Sequence, residues 1–327
     1  MTLVRPQCTI GKVSHSGAVA ILLLVLFCPL ASSSPVEKNG FVVIDPLIPV
    51  NEIYGGGPAR DGIPALDHPV FVQASEAAFL SPDDKLLGVD FNGVIKAYPI
   101  GILNYHELVN DQFNGQPVTV SYCPLCGTGM VFNPQVKGEH LAFGVSGLLY
   151  NNDLLMYDRN TDSLWSQIEG RAISGPLRGT RLERIPVEHT TWRVWRKRHP
   201  ATLVLSSKTG FYRNYGANPY PAYEKTSRII FPLSNYDKRY QSKEMVIGIE
   251  LGGKVKVYPF VELARGQTPL SDSVNGQILS VEYSAEDHSA RILNDKGEIL
   301  TSVTGYWFAW MAFHPDSEVY TYEGQTN

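Results

Sequence analysis

The sequence predicts an α+β fold, internally duplicated, with mainly antiparallel sheets, short helices and a first copy enlarged by a β-rich insert. Three observations predict it. The chain carries 29 Gly and 22 Pro in 327 residues, and its apolar stretches are short and turn-bounded, which suits many strands rather than a helical bundle. The segments Gly88–Pro99 and Gly248–Pro259 share one pattern, two β-rich halves about an Asn-Gly or Gly-Gly turn and a closing Tyr-Pro, at an offset of 160 residues. Trp192, Trp195, His199 and Pro200 recur as Trp307, Trp310, His314 and Pro315 at an offset of 115, so the first copy holds residues that the second lacks.

In chain order, residues 1–33 have the layout of a signal peptide: Arg5 and Lys12, the apolar run Ala18–Phe27, then small residues at Ala31-Ser32-Ser33-Ser34. That run is shorter than the ~20 residues of a membrane span. The expected location is extracytoplasmic, periplasmic or secreted, with membrane contact only through this segment if it stays uncleaved. Residues 34–74 form an N-terminal arm, rich in Gly and Pro around Gly55-Gly56-Gly57-Pro58. Residues 75–206 are copy A. Its hairpin leads through Tyr98-Pro99 into a helix with Pro at the start, followed by strands near Val118–Tyr122 and Gly129–Asn133. The insert, about 138–186, reads as strands at Leu141–Val145, Leu154–Asp158, Leu164–Glu169 and Arg181–Pro186. A short helix then puts Trp192, Trp195 and His199 on one stripe and ends at Pro200. Residues 207–234 are a linker rich in Tyr, and residues 235–322 are copy B.

Hydrophobic residues make up 43% and charged residues 18%, enough for a sizeable core. The formal net charge of −4 gives no basic excess and argues against a nucleic-acid partner. Of four cysteines, Cys8 and Cys28 fall in the leader. Only Cys123 and Cys126 remain, in Tyr122-Cys123-Pro124-Leu125-Cys126-Gly127. One local pair is no disulfide scaffold, so it points to chemistry. The stretch from Gly127 to Pro134 makes a poor helix and a fair strand, which places the pair on a turn between strands rather than at a thioredoxin-like helix start. Three readings stand: a metal knuckle for Cu or Zn, a thiol–disulfide redox pair, or thiols without a chemical role.

The duplication acts as an internal control. Copy B has Ser284 and Asp287 where copy A has Cys123 and Cys126, so the thiols are dispensable for building the fold. His106 also lacks a counterpart and shares a helix face with Ile102 and Leu103, which makes it the expected third ligand. Glu107, its neighbour, cannot face the same way and is a candidate base. In the insert, strand alternation pairs Met156 with Asp158 and Tyr157 with Arg159. Met156 is a further ligand candidate; Asp158 and Arg159 are catalytic candidates. Arg60 and Asp61 on the arm, with Tyr122, Trp165 and Gln167, complete the candidate pocket.

These motifs carry a resemblance. The segments Gly57–Pro64, His106-Glu107-Leu108-Val109-Asn110-Asp111, Tyr122–Cys126, Phe143–Gly147, Met156-Tyr157-Asp158-Arg159 and Gly175–Gly179 resemble the exported prokaryotic domain-of-unknown-function family three-one-seven-nine, over about residues 54–322. The resemblance implies an exported protein and supplies no activity. The expectation from the residues is therefore a Cys-x-x-Cys centre that binds Cu or Zn, with a thiol–disulfide oxidoreductase or redox sensor and a non-catalytic small-molecule binding module as alternatives. Whether the protein is an enzyme is left open.

Overall fold

Two-residue turns organise the strands. Asn92-Gly93, Asn114-Gly115, Asn151-Asn152 and Asn275-Gly276 all have both residues at positive φ, as does Gly252-Gly253. That is the backbone a tight hairpin needs to match the twist of its strands, and Gly and Asn adopt it most readily. The hairpins they close pair Phe91 with Val94, Phe113 with Gln116, Tyr150 with Asp153, Leu251 with Lys254 and Val274 with Gln277.

The computed structural model describes residues 35–323 of the chain. It corrects the expected α+β class: the protein is mostly β, 42% strand against 11% helix, with five small sheets arranged as a five-bladed β-propeller. The short helices are present as expected, but they are too few and too small to form a layer. Ile100–His106, Trp192–Arg198 and Trp307–Phe313 have seven residues each; Phe260–Leu263 has four. Pieces this short depend on packing against the sheets. Among the described residues no helix is long and apolar enough to cross a membrane. The signal-peptide reading of residues 1–33 lies outside the described residues.

The repeated sheets fit an internal repeat. In copy A, the hairpin Lys85–Phe91/Val94–Pro99 is flanked by antiparallel Glu188–Thr191 and parallel Leu203–Leu205. In copy B, Met245–Leu251/Lys254–Pro259 is flanked in the same way by Val303–Tyr306 and Glu318–Val319. Each hairpin precedes a three-stranded meander, Leu108–Asn133 in one copy and Leu270–Asn294 in the other. Packing repeats too. A Cβ added to Gly88 would lie 2.4 Å from the Trp195 ring, and one on Gly248 would lie 2.3 Å from Trp310. Glycine is what lets each indole lie flat on its hairpin.

The insert forms its own sheet, Phe143–Tyr150, Asp153–Asp158, Leu164–Ser166 and Arg171–Ser174, edged by Tyr54–Gly55 of the arm. The Arg171–Ser174 strand has no counterpart among the expected strands. Conversely, Glu183–Ile185, expected within the insert, pairs with Thr128–Asn133 of the meander. Both faces of the insert sheet are covered. Met156 and Trp165 join the core that holds the two cysteines, and Leu155 and Tyr157 pack with Phe41 and Val43 of the arm.

Candidate metal centre

The thiol turn is built by the meander. Strands Gln116–Cys123 and Thr128–Asn133 pair Cys123 with Thr128, leaving Pro124 to Gly127 as the connection. The Cys123 carbonyl accepts from the amides of Cys126 (3.2 Å) and Gly127 (2.8 Å), which curls the turn and brings the two thiols together. Gly127 has φ +64, a backbone that suits glycine. The expected strand–turn–strand setting thus holds, and both cysteines are free and buried.

The third converging group is Asp153. The sulfurs of Cys123 and Cys126 and a carboxylate oxygen of Asp153 all lie within 4.8 Å of one another. This cluster is compatible with a metal site. Asp153 opens its strand directly after the Asn151-Asn152 turn and is 1% exposed. Its carboxylate accepts from the Ile168 amide (3.1 Å) and the Thr128 hydroxyl (3.4 Å). Thr128 also donates to Gln167 Oε1 (2.8 Å), while Gln167 Nε2 donates to Ser121 Oγ (3.1 Å) and the Thr128 carbonyl (3.2 Å). The Cys123 thiol donates to the Asn152 carbonyl at 3.5 Å.

Burial pushes the Cys123 thiol up, more than its hydrogen bond with Cys126 pulls it down, and the negative charges of Asp153 and Glu107 push it further; burial pushes Cys126 up as well. Burial raises Asp153 to about 7. Glu107 rises to about 8, from burial and then from the charge of Asp153. Such a set, acidic and dry, is stable when protonated or when a cation replaces the protons.

His106, expected as the third ligand, is turned to other partners. Its Nδ1 meets the Pro64 carbonyl at 2.8 Å and its Nε2 meets the Tyr215 hydroxyl at 2.6 Å. Glu107 caps the helix at φ +58, ψ −32, a backbone unusual for a residue with a side chain, and the chain turns there into the next strand. Of the two neighbours, Glu107 is the one whose charge acts on the Cys123 thiol. Gln167 is tied to Thr128, and Tyr122 precedes Cys123 in its strand.

The remaining candidates have partners of their own, except Met156, which is fully buried in the apolar core that also holds the two cysteines. Asp158 accepts from the Trp165 indole (2.9 Å) and from the amide of Thr161 (2.7 Å), so both residues serve the insert's own structure. Arg159 pairs with Asp67 at 2.7 Å, Arg60 with Asp162 at 2.6 Å, and Asp61 accepts from the Tyr157 hydroxyl. These contacts clamp the arm to the insert.

Sequence reasoning missed Asp153, Tyr223 and Tyr306. A carboxylate inside a strand buried throughout, Asp153–Asp158, was the available signal for the first. The tyrosines come from distant segments: Tyr223 donates to the Leu125 carbonyl at 2.8 Å, and the Tyr306 amide donates to the Cys126 carbonyl at 2.8 Å.

A family model described as "Protein of unknown function (DUF3179)" matches residues 60–298. No curated protein and no solved structure matches the chain.

Proposed function

We propose that this chain, which belongs to the DUF3179 family of proteins of unknown function, is an extracytoplasmic metal protein that holds a divalent ion, zinc in preference to copper, on Cys123, Cys126 and Asp153. The observation that carries the reading is the meeting of two thiols and one carboxylate in a buried site. Two sulfurs and an oxygen make a borderline donor set. Zn²⁺ accepts it, whereas Cu(I) favours sulfur or imidazole throughout. Three protein donors leave a fourth position for water or substrate, the arrangement of metal sites that activate a ligand. Glu107, whose charge acts on Cys123 and whose own carboxyl is raised to about 8 by burial and by Asp153, is held protonated at neutral pH and would serve there as a proton donor.

A redox exchange role has weaker support. Exchange needs an accessible thiolate, and both thiols here are buried with their pKa raised.

The test is metal analysis of untagged protein purified with thiols reduced, followed by competition with a chromophoric zinc chelator. One tightly held zinc per chain is expected, lost in Cys123→Ser and Cys126→Ser. Protein that takes up neither Zn²⁺ nor Cu(I) ends the proposal.

A further inference from the structure

The donors of the proposed metal centre are sealed from solvent. Cys123 is 1% exposed, Cys126 0% and Asp153 1%. A cleft of about 770 Å³ comes close, since Tyr122 and Gly127 line it, but none of the three donors does. An ion, or a molecule bound for the fourth position, therefore needs part of the structure to move. The linker is the segment that can.

Over residues 211–228 every residue is exposed except Tyr215, Tyr220 and Tyr223, so tyrosines hold this stretch to the body. Its ends are tied. At the near end Tyr215 bonds His106 (2.6 Å) and the Tyr105 hydroxyl donates to the Ala217 carbonyl (2.9 Å). At the far end the Phe231 amide donates to Asn152 Oδ1 (2.8 Å), Asn152 Nδ2 to the Phe231 carbonyl (2.9 Å) and the Ser234 amide to Asn151 Oδ1 (2.7 Å). Those two asparagines form the turn that presents Asp153. The middle is held more lightly. Among the described residues, the hydrogen bonds that join residues 218–228 to the rest of the protein come from Tyr223 and Lys243. The Tyr223 hydroxyl donates at 2.8 Å to the carbonyl of Leu125, which lies between the two cysteines. Lys243 donates to the carbonyls of Tyr223 and Thr226, with its Nζ 3.2 Å from the centre of the Tyr223 ring. Other bonds close on the segment itself: Asn218 donates to Glu224 (2.7 Å) and accepts from the Tyr220 amide (2.8 Å). A piece knit to itself and joined to the body by so few bonds opens as a unit, at a small fraction of the cost of unfolding the protein. Asn218 and Glu224 line the cleft, so its displacement opens the centre on that side.

We propose that residues 218–228 form a lid over the thiol turn, released at Tyr223 while both ends stay tied, and that its opening admits the ion and any molecule that takes the fourth position. What passes rests on the metal reading; the lid itself does not. His106 anchors the near end through its bond to Tyr215 and its packing on Phe211, with ring centroids 5.3 Å apart.

The test is the rate at which a small maleimide labels Cys123 and Cys126 in the reduced, chelator-treated full chain, read by mass spectrometry at urea concentrations below the unfolding transition. Labelling through the lid should be nearly independent of urea. It should quicken about two- to tenfold in Tyr223→Phe and in Lys243→Met. Among the described residues Lys243 bonds only the lid, so its variant reports on the lid and not on loosening of the thiol turn. Tyr258→Phe, which removes a comparable bond to Asp272 (2.9 Å) in copy B, should leave the rate unchanged. The lid is overturned by labelling that follows the urea dependence of global unfolding, by an unchanged rate in a folded Lys243→Met protein, or by equal quickening in Tyr258→Phe. The urea series uses the unaltered chain, so it decides the case even where a variant fails to fold. Zinc-loaded protein should lose its ion to excess chelator faster by the same factor in the two lid variants. A chain that takes up no zinc ends the metal reading, and the lid is then judged by labelling alone.

Discussion

Cys126 and Asp287 occupy the same corner of two equivalent hairpins. The first hairpin pairs Cys123 with Thr128 and the second pairs Ser284 with Ser289, so each residue stands two places before the returning strand. Asp287 accepts from Ser284 (2.9 Å), Thr191 (3.2 Å) and Arg193 (3.1 Å), which ties copy B to copy A. In copy A the corner is hydrogen-bonded to copy B by the Tyr306 amide on the Cys126 carbonyl, with Cys126 in the same core as Val303 and Trp307. That leaves the thiol side to the insert, and the insert supplies Asp153.

One prediction concerns that asymmetry. The double variant Ser284→Cys/Asp287→Cys recreates the thiol pair in copy B, where the insert has no counterpart. Metal analysis should find the same stoichiometry as in the unaltered protein. A second tightly held ion would show that the carboxylate is unnecessary.

The pH dependence stems from Asp153 and Glu107. Their pKa values of about 7 and about 8 in the folded protein lie above ordinary values of 3.8 and 4.5. The folded metal-free chain therefore binds more protons than the unfolded one in between. Their stabilising contribution is complete below about pH 4 and is lost as pH rises through about 7 and 8. Zinc reverses the trend, because it requires the deprotonated ligands. Thermal melts of chelator-treated and zinc-loaded protein between about pH 5 and pH 8.5 should diverge, and parallel curves would contradict the site.

Glu107→Gln removes one buried acid without touching the three donors. The metal-free protein at about pH 8.5 should gain stability, on the order of 2 kcal/mol, because no charge need be buried. Zinc stoichiometry should stay at the unaltered level. Loss of the ion would place Glu107 among the ligands instead.

His106→Phe tests the role given to the imidazole. It keeps a ring in place and deletes the bonds to Pro64 and Tyr215, at a cost of about 1–3 kcal/mol. Metal content should be unchanged while limited proteolysis near residues 207–218 quickens. A fall in metal content would restore His106 as a ligand.

Gly88→Ala and Gly248→Ala should both destabilise, by about 1–3 kcal/mol or more, since each new methyl meets an indole ring at 2.4 or 2.3 Å. Denaturant melts would measure this. Similar losses in the two variants are expected, because Trp195 and Trp310 pack on equivalent hairpins.

Much of the strand layout was legible because hairpin turns are local. Asn-Gly and Gly-Gly pairs name their own backbone conformation, and a repeated pattern announces a repeated sheet. The class was not legible, because helix starts at Pro99 and Pro259 are as visible as strands, whereas their brevity is set by the sheets they cap. In the insert, the boundaries moved where Gly170 and Gly175 take positive φ and break the chain into shorter strands.

The sequence by itself determined the doubled framework, the placement of two cysteines on a turn, and their restriction to one copy. The folded structure alone decided what those cysteines face. A carboxylate thirty residues away, an aromatic lid from the linker and a wall from copy B meet there through contacts distant in the chain, and strand periodicity does not encode such meetings. The fold also decided where the imidazole of His106 goes, since it is held by the Pro64 carbonyl and the Tyr215 hydroxyl, partners 42 and 109 residues away in the chain.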